Sequence, residues 1–194
     1  MNKGRLEAFS DGVIAILITI MVLELRTPEG STWQTLVSRV PILLIYVLSF
    51  VFLGIYWNNH HHLLQATERI NGRILWANLH LLFWLSLTPF SMAWMGEYPN
   101  AALPTAIYGT VLLCAGMAYL ILQRQIVAAQ GPHSKLRTVL GRDVKGNISP
   151  VLYLLGIVFA FVNQRISQAI YAVVALMWLV PDPRIERSGV GAKD

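Results

Sequence analysis

The chain is expected to be an all-α integral membrane protein of six transmembrane helices, and three observations carry that expectation. Its mean hydropathy is +0.54, with 55% hydrophobic and only 13% charged residues, where a soluble domain has about 25% charged. Apolar runs recur along all 194 residues, too many for a signal peptide, and the first lacks a small-residue cleavage site, so it reads as retained. The basic residues also segregate. With six spans, Lys3, Arg5, Arg69, Arg73, Arg124, Lys135, Arg137, Arg142, Lys145, Arg184, Arg187 and Lys193 share one side, and only Arg26, Arg39 and Arg165 take the other. Positive charge concentrates on cytoplasmic loops, which puts both termini in the cytoplasm of a multi-pass cell-membrane protein.

The six helices are expected near 3–25, 40–62, 73–95, 101–127, 149–163 and 166–180, forming one unit over 1–182 with a polar C-terminal tail at 183–194. Val13 to Leu23 is apolar except for Thr19. At about 1.5 Å per residue that run is too short for a hydrocarbon core of about 30 Å, so the first helix must start earlier. It then carries Ser10 and Asp11 into or near the bilayer, where such groups need partners or water. Thr27-Pro28-Glu29-Gly30-Ser31 ends it with turn chemistry, and Trp33 suits a membrane interface.

Pro41 opens the second helix, whose far end is crowded by Trp57, Asn58, Asn59 and His60 to His62. The third carries Trp76, Asn78 and His80 near its start, and Thr88-Pro89-Phe90 should kink it near its end. Pro104 lies in the first turn of the fourth, with Gly109 and Gly116 as small packing positions. The loop from Gln130 to Ser149 is the most hydrophilic; Ser149-Pro150 then reads as cap and first turn of the fifth helix. The last two apolar runs are each only about 15 residues, short by the length rule, and one interrupted helix from Pro150 to Val180 is the competing reading.

Most chemical functions find no footing. Cys114 stands alone, which excludes an internal disulfide or a thiolate metal site. Consecutive helical residues point about 100° apart, so His60, His61 and His62 cannot converge on one ion, and no i, i+4 histidine pair exists. Ser10 has no nucleophile-elbow motif. The net charge of +5 follows membrane topology rather than a basic patch interleaved with aromatics, which argues against nucleic acid. No enzyme activity, cofactor or metal is expected.

What remains is a polar cluster and a stripe. Ser10 and Asp11, Trp57 and His60, and Asn78 come to one depth on the first three helices, where they can satisfy one another and pin the first helix to its neighbours. On that helix, 3.6 residues per turn align Gly12, Ile16, Thr19, Ile20 and Leu23 on one face, with Asp11 pointing away. Such a stripe is ordinarily lipid-facing or packing surface; in an oligomer it can also form a hydrophobic constriction.

Arg5-x-x-x-Phe9-Ser10-Asp11, followed by Ile16 and Thr19, then Trp57-x-x-His60 and Asn78 with Leu87-Thr88-Pro89-Phe90, resembles the transmembrane protein 175 family of endosomal and lysosomal potassium channels and their prokaryotic relatives. The resemblance covers the whole chain as one six-helix unit. It implies a homotetramer whose first helix lines a central pore conducting potassium ions passively across the lipid bilayer. It also implies a narrow constriction at Ile16, a polar layer at Thr19, further lining by Ile20 and Leu23, and an inter-helix network of Arg5, Ser10, Asp11, His60 and Asn78, which Trp57 joins on geometry. The chain lacks T-V-G-Y-G, so a carbonyl-ring filter is excluded and selectivity should be modest. A proton-coupled or proton-conducting transporter using Asp11 and His60 is the alternative.

Overall fold

The structure is a computed structural model, and it describes residues 2–130 and 144–179. The expected tail at 183–194 and most of the hydrophilic fourth loop lie outside these residues. Eight helices are described: α1 Lys3–Leu23, α2 Trp33–Val37, α3 Val40–Gln65, α4 Gly72–Ser86, α5 Thr88–Glu97, α6 Ala102–Ala129, α7 Val144–Phe159 and α8 Gln164–Leu179. By length and composition, α1, α3, the α4–α5 unit (Gly72–Glu97) and α6 can each cross a membrane. At 16 residues each, α7 and α8 are about 24 Å long, less than the hydrocarbon thickness.

Local chemistry accounts for the ends. Asn2 caps α1, its side chain accepting from the Gly4 N–H, and Asn71 caps α4 by accepting from Ile74 N–H at 3.0 Å. Gly30 holds φ +141° between α1 and α2, a conformation other residues rarely adopt. Pro89 sits in the first turn of α5, where its missing N–H breaks the ladder at Leu87, and the third span is two helices end to end. Thr32 caps α2, a single helical turn that follows the Thr27–Ser31 turn and was not expected from the sequence.

Ser149 and Pro150 do not open α7. The helix starts at Val144 and Pro150 lies inside it. The Ser149 hydroxyl donates back to the Lys145 carbonyl at 2.7 Å and accepts from the Trp178 indole at 2.8 Å, so tertiary packing carries a helical turn upstream of the proline. A short turn then reverses the chain. The Ser167 hydroxyl reaches Gly156 O at 2.6 Å while Trp178 reaches Ser149, a register that makes α7 and α8 an antiparallel hairpin rather than one interrupted helix.

The packing reverses the usual soluble arrangement. Large apolar side chains such as Leu44, Phe83, Phe90 and Val162 are exposed, while Ser10, Ser49, His60, Asn78, Thr105 and Ser167 are buried. The hydroxyls of Ser10, Ser49, Thr105 and Ser167 each donate to a carbonyl, as Ser49 does to Ile45 O at 2.8 Å and Thr105 to Ala101 O at 2.9 Å. Ser49 also accepts from the Tyr108 hydroxyl at 2.8 Å, joining α3 to α6. Tyr171 of α8 lies over Gly109 of α6 and Gly156 of α7, where a Cβ would collide with its ring, and its hydroxyl donates to Thr105 O at 3.2 Å. Gly109 is therefore a close-approach position. Gly96 does the same for α5 on α3, since a Cβ there would lie 3.1 Å from the Ile42 Cα. Around this frame α1 is peripheral, touching α3, α4 and α5.

Candidate functional site

The polar residues singled out from the sequence form two separate constructions. The first is buried and directional. His60 Nε2 of α3 meets Asn78 Oδ1 of α4 at 2.7 Å, Asn78 Nδ2 donates to Ser10 Oγ of α1 at 2.9 Å, and Ser10 donates its proton to Leu6 O at 2.9 Å. Because the Ser10 proton is used on a backbone carbonyl, Ser10 must accept from Asn78, and the amide oxygen must accept from His60. The ring proton therefore sits on Nε2. His60 Nδ1 is buried and has no hydrogen-bond partner among the described residues. Ser10, His60 and Asn78 have no exposed surface, so each lost hydrogen bond costs desolvation as well.

Asp11 does not join this relay. It accepts from the Trp57 indole N–H at 3.1 Å, on the flank of α1 rather than in its core contact. That bond is one rung of a ladder. Lys3 Nζ donates to Gln65 O at 2.8 Å, Glu7 lies 3.8 Å from His61, and Asp11 meets Trp57. Each step of four forward on α1 is matched by four back on α3, as two antiparallel helices in contact require. His61 stacks on Trp57 with centroids 5.9 Å apart and bonds Gln65 at 2.9 Å, while His62 meets it edge-on. The histidine run is thus divided among three surroundings. Among the described residues no three His, Cys, Asp or Glu side chains converge as metal ligands would.

Lys3, Glu7, His61 and Gln65 were missed from the sequence. Their signal was present in the repeat of four from Lys3 to Asp11 and from Trp57 to Gln65. Arg5, expected in the network, is exposed and takes no part in it among the described residues; five residues before Ser10, it lies about 140° around the helix from the buried contact.

The stripe is left open. Gly12, Ile16, Thr19, Ile20 and Leu23 are all exposed, Ile16 by 58% and Leu23 by 79%. A Cβ built on Gly12 meets nothing within 4 Å. The Thr19 hydroxyl donates to Ile16 O at 2.8 Å. With its proton engaged, that oxygen has only acceptor capacity left to offer outward.

Comparison with known proteins bears on the family and the fold. The family model described as endosomal/lysosomal potassium channel TMEM175 matches residues 5–89, the stretch from Arg5 to Pro89. A Chryseobacterium protein, potassium channel HX13_20290, is 53% identical over 188 residues, covering 97% of this chain and 98% of its own. The chain belongs to the TMEM175 family. A crystal structure of a lysosomal potassium-selective channel TMEM175 homolog from Chamaesiphon minutus superposes with a TM-score of 0.82 at 26% identity. It covers 92% of this chain and 96% of that one. A more distant family member, the zebrafish endosomal/lysosomal proton channel TMEM175, is 23% identical over 194 residues, spanning 91% of this chain and 36% of its own. The chain is thus a multi-pass membrane protein of a channel family, with the TMEM175 fold, and not an enzyme.

Proposed function

We propose that this protein is a potassium-permeable channel, assembled from four copies, in which α1 of each copy lines a central pore. Ile16 forms the hydrophobic constriction, Thr19 the nearest polar ring, and Ile20 and Leu23 continue the lining. The observation that carries this reading is the division of α1: one side is pinned by buried bonds while the opposite side is apolar and uncovered. The bacterial relative named as a potassium channel over nearly the same length supports the ion. Thr19 contributes acceptor oxygens next to the ring of Ile16, a suitable resting place for a partly hydrated cation.

The proposed assembly places six crossings in each copy, with α7 and α8 completing the set despite their shortness, in the cell membrane with both termini cytoplasmic. Twelve basic residues against three favour that orientation. Passive conduction needs no cofactor or resident metal. Water leaves a ring of four isoleucines more readily than a polar ring, so the constriction sets the conduction barrier by its wetting.

A proton pathway is the second reading, favoured by the relative named a proton channel and by the unpartnered His60 Nδ1. Against it, Asp11 and His60 bond different partners, so no direct relay links them. The deciding experiment is flux from liposomes holding the purified protein and loaded with potassium. Electrogenic potassium efflux that needs an added proton ionophore for charge balance is expected. Proton movement without potassium flux would overturn the channel reading in favour of the second.

A further inference from the structure

A groove of about 800 Å³ runs between the start of α4 and the second half of α6, and its lining shares no residue with the α1 stripe or the α1–α3 ladder. Its lining includes Arg73, Trp76 and His80 from α4 with Ile121 and Gln125 from α6, and none of its eight lining residues is acidic. Arg73 is exposed, and Trp76 is 75% exposed. The Trp84 indole donates to His80 Nε2 at 2.9 Å. An indole N–H can only donate, so the His80 ring carries its proton on Nδ1, where it is a further donor. Arg124 lies three residues from Ile121 on the same side of α6.

We propose that this groove binds an anionic phospholipid of the leaflet on the side of the termini, its phosphate at Arg73 and its acyl chains along Trp76 and Ile121. The residues are graded as such an occupant requires. From Arg73 to His80 the helix climbs about 10 Å, enough to cross an interfacial region of about 5–8 Å and reach the hydrocarbon, and Trp76 between them has the amphipathic ring that settles at that boundary. Charged and neutral donors face the groove with no carboxylate among them, so a net negative headgroup is matched. A zwitterionic lipid would bring an ammonium group that no lining residue offsets. A soluble phosphate would leave the Trp76 and Ile121 wall uncovered.

The test is mass spectrometry of the intact assembly released from detergent containing equal phosphatidylglycerol and phosphatidylcholine. Retention of phosphatidylglycerol in preference to phosphatidylcholine is expected, one molecule per chain, unaffected by excess inorganic phosphate. Arg73→Gln should weaken retention by about fivefold, the weight of one basic residue near an anionic surface. Trp76→Ala should weaken it without changing the headgroup preference, and the melting temperature in phosphatidylcholine should be unchanged for both. Arg73→Lys, which keeps the charge, should hold the preference. Equal retention of both lipids, or of phosphatidylglycerol by wild type and Arg73→Gln alike, would overturn the proposal. Displacement by phosphate would make the groove a soluble-anion site instead. An assembly that retains no lipid while a Trp76→Cys variant cross-links between chains would assign the groove to a second copy. None of these readouts depends on ion flux.

Discussion

Along α1, Leu6, Ser10, Ile14, Leu17 and Met21 are buried against neighbouring helices, while Gly12, Ile16, Thr19, Ile20 and Leu23 on the far side are exposed. Both sides are mostly apolar, and hydrophobicity alone does not separate them. The difference lies in one serine. Ser10 gives the inner side a place in a buried relay through Asn78 to His60, and in low-dielectric surroundings such a bond is costly to break and specific in direction. The outer side holds Thr19, whose hydroxyl is satisfied within its own helix and makes no demand on a neighbour. One face therefore orients the helix, and the other is available for whatever occupies the space beyond.

The sharpest way to break this comparison is through Asn78. Asn78→Leu removes both side-chain bonds and leaves His60 Nε2 buried and unpaired, so a loss of about 2–3 kcal/mol is expected, with loss of assembly. Thermal melting and size-exclusion chromatography read it; a fully stable, assembled variant would mean the relay does not orient α1. Next in size is Ile16→Asn. Ion flux should rise at least about tenfold, equivalent to about 1.4 kcal/mol off the conduction barrier. Stability should move by less than about 0.5 kcal/mol, as for an exposed site. Unchanged flux in a folded tetramer would remove Ile16 from the pore.

Asp11→Asn keeps an acceptor for the Trp57 indole and should cost only about 1 kcal/mol or less. Potassium flux should persist, whereas the proton-pathway reading requires proton flux to collapse in the same variant. The smallest effect is expected from Thr19→Val. It removes the acceptor oxygen without changing the shape, so melting should be unaffected while potassium preference over sodium falls by about two- to threefold, under 1 kcal/mol. Bi-ionic reversal potentials measure it.

The chain shows where helix-level reasoning reaches and where it stops. The alignment of the stripe on α1 was legible because 3.6-residue periodicity is a property of one helix, and the break at Pro89 was legible because proline acts on its own backbone. The pairing of Ser10 with Asn78 rather than with Asp11's partner was not. It depends on the rotation of α4 against α1, which no local rule sets. Arg5 was assigned to the network through its place in a motif, yet its angle on α1 carries it away from Ser10. Lys3, Glu7, His61 and Gln65 repeat at four-residue spacing, but their pairing needs the antiparallel register of α1 on α3.

By itself the sequence determined the membrane class, a series of apolar runs of which the last two are short, the grouping of basic charge, and the alignment of Ile16 with Thr19, Ile20 and Leu23. These follow from composition and from the geometry of single helices, which operate over a few residues. Only the tertiary structure decided that Pro150 lies within α7, that α7 and α8 fold back as a hairpin, and that α1 turns Ser10 inward and Ile16 outward. Those outcomes rest on contacts between segments far apart in the chain. In a bilayer, where apolar surface is equally content against lipid or protein, a few buried hydrogen bonds and close glycine approaches settle which side faces in.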